Sequence, residues 1–86
     1  MRLIADIETD GLLETLTKIH VIAAANADDI SQRWVFGPDR IGEGVKLLSQ
    51  ASELIMHNGI AFDIPAIQKI YPSFSVDEIT VTDTLV

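Results

Sequence analysis

Apolar and polar positions interleave from the start of the chain. Leu3, Ile4, Ala5 and Ile7 form a short apolar run, broken near its end by Asp6 and Glu8. A run of this length fits a strand buried on both faces, and the pattern predicts strand over residues 2–8. Asp10-Gly11 marks a turn, and residues 12–18 read as a loop. Ile19-His20-Val21-Ile22-Ala23-Ala24-Ala25 predicts a second strand, although alanine is a poor strand former. After a turn at Asn26-Ala27-Asp28-Asp29, the partial alternation of Ser31 to Phe36 predicts a third, more exposed strand. Together the three suggest an antiparallel meander.

Gly37-Pro38-Asp39 closes the meander. Ile41, Val45 and Leu48 then recur at helical spacing, with Asp39 expected at the N-cap. Gly42 and Gly44 should soften that first turn by roughly 1 kcal/mol each relative to Ala. Leu54-Ile55-Met56 predicts a short buried strand, and His57-Asn58-Gly59 a turn, with Gly59 expected at a backbone angle closed to other residues. Phe62, Ala66, Ile67 and Ile70 give a second helical stripe, with Pro65 in its first turn and Tyr71-Pro72 as its stop. Residues 78–83 complete the pattern as a last strand. The order β-β-β-α-β-α-β predicts an α/β fold with a five-stranded mixed sheet ordered 3-2-1-4-5. Right-handed crossovers put both helices on one face. The other face should be bare and too apolar for free exposure, so a missing segment or a second copy in a homodimer is expected to cover it. Because the chain stops on a strand, residues 1–86 read as one truncated domain.

Length and composition narrow the classes. A chain of 86 residues holds one domain, and 48% apolar with 22% charged residues is a globular balance. With no cysteine there is no disulfide and no thiolate metal site. No apolar run is long enough for a membrane span, and no signal peptide pattern opens the chain, so a cytoplasmic location is expected. The net charge is −7, and the six basic residues are scattered. Any action on nucleic acid would need positive charge from a bound metal or from further polypeptide.

Candidate chemistry gathers at two stretches. On a strand, Asp6 and Glu8 lie on one face, and the repulsion between them is relieved by a divalent cation such as Mg²⁺ or Mn²⁺. A fraying strand end that lets both acids reach water would relieve it equally. Asp63 follows a strand expected to run beside and parallel to the first, so all three acids can meet at the carboxyl ends of adjacent strands. The alternative for Asp63 is an acid at a helix N-terminus, favoured by the helix dipole. His57 and His20 read as packed or hydrogen-bonded residues, Asn58 as a turn residue, and Trp34, Phe36 and Tyr71 as packing. Asp83 reads as a buried, hydrogen-bonded acid behind the site.

These stretches carry a resemblance. Asp6-Ile7-Glu8-Thr9-Asp10-Gly11-Leu12-Leu13 resembles the first motif of the DEDD (DnaQ-like) 3′–5′ exonucleases. His57-Asn58-Gly59-Ile60-Ala61-Phe62-Asp63-Ile64-Pro65 resembles their second motif, and Asp83-Thr84-Leu85-Val86 the segment after it. The likeness is greatest to the proofreading domains of family A DNA polymerases from short-tailed phages. It implies a ribonuclease-H-like fold and two-metal hydrolysis of terminal phosphodiesters with Mg²⁺ or Mn²⁺. Asp6, Glu8 and Asp63 would be metal-binding catalytic carboxylates. Thr9, Leu12, Leu13 and Asn58 would bind the 3′ end of single-stranded DNA, with RNA as a possible substrate and a polymerase domain as a possible neighbour in the full-length protein. The family's third motif, with the fourth aspartate and its water-positioning residue, has no counterpart in these residues. The resemblance therefore implies a weak or inactive nuclease fragment. The alternatives are a non-catalytic prophage remnant, a dimerising fragment, or an RNA-processing exonuclease of the same fold.

Overall fold

Strict alternation decides the first strand. In β1 (Arg2–Thr9) the side chains of Leu3, Ala5 and Ile7 are buried, while Ile4, Asp6 and Glu8 are exposed. The structure, a computed structural model, describes residues 1–85. β1 is thus buried on one face and not on both, because the buried residues of both helices join the core on a single side of the sheet.

The meander follows as the pattern predicts. β2 (Ile19–Asn26) runs antiparallel to β1, and β3 (Asp29–Phe36) antiparallel to β2. The alanines do pair: Ala24 sits opposite Ala5, and Ala23 opposite Asp6. A 3₁₀ turn at Pro38–Arg40 leads into α1 (Ile41–Ser49). Asp39 lies inside that turn and does not cap the helix; Arg40 holds the cap position, without a side-chain bond. Gly44 is set by packing, since a Cβ there would stand 2.9 Å from the Phe36 ring and 3.1 Å from Ile22. Its cost in helix propensity is the condition for α1 to approach β2 and β3.

β4 (Glu53–Met56) lies parallel to β1, α2 (Ile64–Ile70) follows, and β5 (Thr80–Asp83) lies parallel to β4. The sheet order is β3-β2-β1-β4-β5, the mixed five-stranded arrangement expected. Leu3, Leu16, Ile22, Leu48, Leu54, Met56 and Ile67 are the largest fully buried side chains. Each contributes roughly 1.5–3 kcal/mol by leaving water. Leu16 belongs to the loop before β2, so the core reaches past the regular elements.

The opposite face is bare among the described residues. Ile4 is 44% and Val35 66% exposed. With Ala23, Ala25, Ile30 and Arg33 they border a shallow trough of about 410 Å³. No helix in the described residues is long and apolar enough to cross a membrane.

Candidate active site

The site begins where two strands part. β1 and β4 pair only from Arg2–Glu53 to Ile4–Ile55. Beyond Ile4, β1 continues through Asp6 and Glu8, while β4 ends at Met56 and turns away. The turn depends on Asn58, at φ 61° and ψ 26°, the one described non-glycine residue with positive φ. Short polar side chains tolerate this left-handed conformation. The expectation for Gly59 is corrected accordingly, since no described glycine has positive φ. Gly59 is required for space: a Cβ would lie 2.6 Å from Met56 Cβ.

A single π-helical turn, Gly59–Asp63, then runs directly into α2. It delivers Asp63 to the flank of β1. Asp63 is only 4% exposed, and its Oδ2 is buried with no hydrogen-bond partner among the described residues. It holds the N-cap position of α2, as the helix-terminus alternative expects, but makes no side-chain capping bond there. Burial pushes the Asp63 carboxyl up to about 6, and the Asp6 charge adds to the effect. The Ile7 N–H pulls the other way, Asp83 raises the value further, and His57 lowers it. Asp6 and Asp63 are therefore in electrostatic reach of one another across the gap between β1 and β4.

Glu8 is exposed on the same strand face as Asp6, and its charge is not among those acting on Asp63. Among the described residues, no group of three or more His, Cys, Asp or Glu side chains is placed to hold a metal ion. The two motifs thus bring Asp6 and Asp63 together, with Glu8 nearby in register on β1 but not closed onto them.

Asp83 clamps the end of β5 to the turn. Its carboxylate accepts hydrogen bonds from the N–H groups of Asn58 at 2.8 Å, Leu85 at 2.9 Å and Ile60 at 3.1 Å. These donors hold it below the usual carboxylate range. It is half-buried and not buried as expected, but it is hydrogen-bonded as expected, accepting from backbone N–H groups. Of the Asp83-Thr84-Leu85-Val86 segment, Val86 lies outside the described residues.

The residues after β1 form the rim. Thr9 Oγ1 donates to the Gly11 carbonyl at 2.7 Å. Leu12 is 70% exposed, whereas Leu13 is half-buried, and the Leu13 carbonyl accepts from Lys69 Nζ at 3.0 Å. Asp10 organises this loop, a role the sequence reading missed by treating it as a turn marker. Its carboxylate accepts from the Thr17 N–H at 2.8 Å, the Lys18 N–H at 3.1 Å and the Thr17 hydroxyl. The Thr17 hydroxyl is the largest cause of a carboxyl held far below its ordinary range. The available signal was an Asp-Gly opening a loop that ends in Thr and Lys just before a strand.

His57, read as packed or hydrogen-bonded, is exposed at the end of β4, with its Nδ1 3.1 Å from Thr84 Oγ1. It borders a hollow of about 370 Å³ with Ile4, Asp6, Met56 and Thr84. Compared with known proteins, the chain matches no protein-family model and no curated protein at a significant level.

Proposed function

We propose that this chain is a divalent-metal-dependent 3′–5′ exonuclease domain of the proofreading type, acting on the 3′ end of single-stranded DNA. The observation that carries the reading is Asp63: a carboxylate almost wholly buried, one oxygen unpartnered, beside Asp6 at the carboxyl ends of adjacent parallel strands. A buried, unpaired carboxylate oxygen costs stability unless something binds it. The donors available are carboxylate oxygens, which suit Mg²⁺ or Mn²⁺. When bound, such a cation supplies the Lewis acidity that activates water and stabilises the leaving oxygen.

The chain's own residues divide the remaining work. Asp6 and Asp63 would hold the cation. Glu8, two residues along the same strand face, would orient the attacking water and accept its proton. Leu12, with most of its side chain in solvent, would wedge against the terminal base, and Leu13 would support it from the loop that Asp10 shapes. Asn58 sets the turn that carries Asp63 to β1, and Thr9 holds the start of the rim. The resemblance to the DEDD exonucleases supports the same assignment.

The exposed trough favours one other reading, a non-catalytic module that dimerises through its bare sheet face. Mn²⁺ titration followed by NMR line broadening separates the two. The nuclease reading expects broadening focused on the amides of residues 6–8 and 58–63 and abolished in Asp6→Ala. Diffuse broadening, together with a dimer by light scattering, would favour the second reading.

A further inference from the structure

The reaction proposed above needs a group that receives the phosphate, and the acids around Asp6 repel it. Asp6, Glu8, Asp63 and Asp83 all lie near the strand ends, in a chain of net charge −7. No lysine or arginine borders the hollow that Asp6 shares with Met56 and Thr84, where the one basic side chain is His57; Arg33 borders the neighbouring trough that Asp6 also lines, and its Nε donates to the Ile30 carbonyl. The ring is not free to swing. His57 Nδ1 stands 3.1 Å from Thr84 Oγ1. Thr84 is itself fixed, since its N–H donates to the Met56 carbonyl at 2.9 Å. With the Thr84 hydroxyl donating to Nδ1, a neutral imidazole carries its proton on Nε2. The described residues leave Nε2 without a partner.

We propose that His57, held by Thr84, is the substrate-phosphate contact of this site, its Nε2–H donating to a non-bridging oxygen of the terminal phosphodiester. The assignment rests on the nuclease reading and adds a specific anion-recognition residue to it. A donor without a permanent charge suits the place, because a lysine or arginine would pair with Asp6 and compete with the metal for it. Thr84 acts as a positioning residue, setting the ring's direction, and its hydroxyl can donate to Nδ1 in the tautomer that carries the proton on Nε2.

The test uses the full chain, Mn²⁺ and a fluorescein-labelled pentathymidylate whose 3′-terminal linkage is a phosphorothioate, read by anisotropy. His57→Ala should weaken binding about fivefold to tenfold, the loss of one hydrogen bond to a charged acceptor. His57→Gln, which keeps an amide donor, should recover most of that. Thr84→Val should weaken binding about threefold alone and add nothing in the His57→Ala background, as coupled residues do. Competition by thymidine, which has no phosphate, should be the same for all variants. Asp6→Asn serves as the control. If the wild type fails to bind the probe, or binds it independently of Asp6, the nuclease reading fails and this assignment with it. If wild-type binding depends on Asp6 but His57→Ala binds equally well, or His57→Gln binds no better than His57→Ala, the assignment alone is overturned.

Discussion

Asp63 is buried at a position that costs the folded chain stability when the carboxyl is ionised. Its carboxyl is raised from an ordinary 3.8 to about 6, so the folded chain holds the proton more tightly than the unfolded chain does. Stability must then fall as pH rises from about 4 through 6, by roughly 3 kcal/mol for a shift of this size. The acids held below their ordinary range, Asp10 and Asp83 among them, act in the opposite sense, losing stability as pH falls. The difference between wild type and Asp63→Asn isolates the one group. We predict that Asp63→Asn is the more stable metal-free protein at pH 7, that the advantage vanishes near pH 4, and that Mn²⁺ broadening is lost. Urea denaturation at the two pH values measures this; equal stability at both would show that Asp63 is not strained. The neighbouring turn gives a second expectation. Gly59→Ala forces a Cβ to within 2.6 Å of Met56 Cβ, and overpacking of this kind costs roughly 1–3 kcal/mol. Asn58→Gly, at the residue that actually has positive φ, should be close to neutral. The opposite ranking of urea midpoints would return the conformational role to Gly59.

The elements themselves were largely legible. The apolar run from Leu3 to Ile7 placed β1 but suggested burial on both faces, where only Leu3, Ala5 and Ile7 are buried, and the helical spacing of Ile41, Val45 and Leu48 placed α1. Sheet order followed from the meander and two right-handed crossovers. Three local features were not legible, each because a packing contact or a side-chain bond decided it. The π-helical turn before α2 adds a residue that no periodicity of 3.6 announces. Asp39, a good capping residue by type, is taken up in a 3₁₀ turn. The third is the Asp10 clamp, which joins residues 10 and 17–18 through bonds that composition does not show. Of the candidate site, the meeting of Asp6 with Asp63 was readable from topology, whereas the near-complete burial of Asp63 was not. The clamp is testable at this scale. Asp10→Asn should leave thermal unfolding close to wild type, because the carboxylate is exposed, while the Thr17 and Lys18 amides exchange faster with solvent. Unchanged protection at both amides would mean that the loop holds its shape without Asp10.

For the whole molecule, the distribution of charge decides how a nucleic acid could bind. Four of the six basic side chains are occupied locally. Arg2 pairs with Glu53 and Asp28, Arg40 with Glu43, Arg33 donates to the Ile30 carbonyl, and Lys69 to that of Leu13. What remains is a chain of net charge −7 with acids at the strand ends and a mostly apolar trough over the bare face, bordered by Asp6 and Arg33. A protein that gathers DNA with lysines and arginines releases counterions and loses affinity steeply with salt, with a log–log slope of about −0.7 per phosphate for single strands. This surface offers at most one or two such contacts. Long-range repulsion between the chain and the DNA is itself screened as salt rises. We therefore predict that Mn²⁺-dependent binding of a short single strand weakens only slightly with added KCl at fixed Mn²⁺, with a slope no steeper than about −1. Recruitment would then run through the metal at Asp6 and Asp63 and a few short-range contacts at the 3′ end, not through an electrostatic surface. Anisotropy across a KCl series measures the slope. A value several times steeper would reveal a phosphate-binding surface made of paired residues that open on contact, and the metal-centred route would have to be given up.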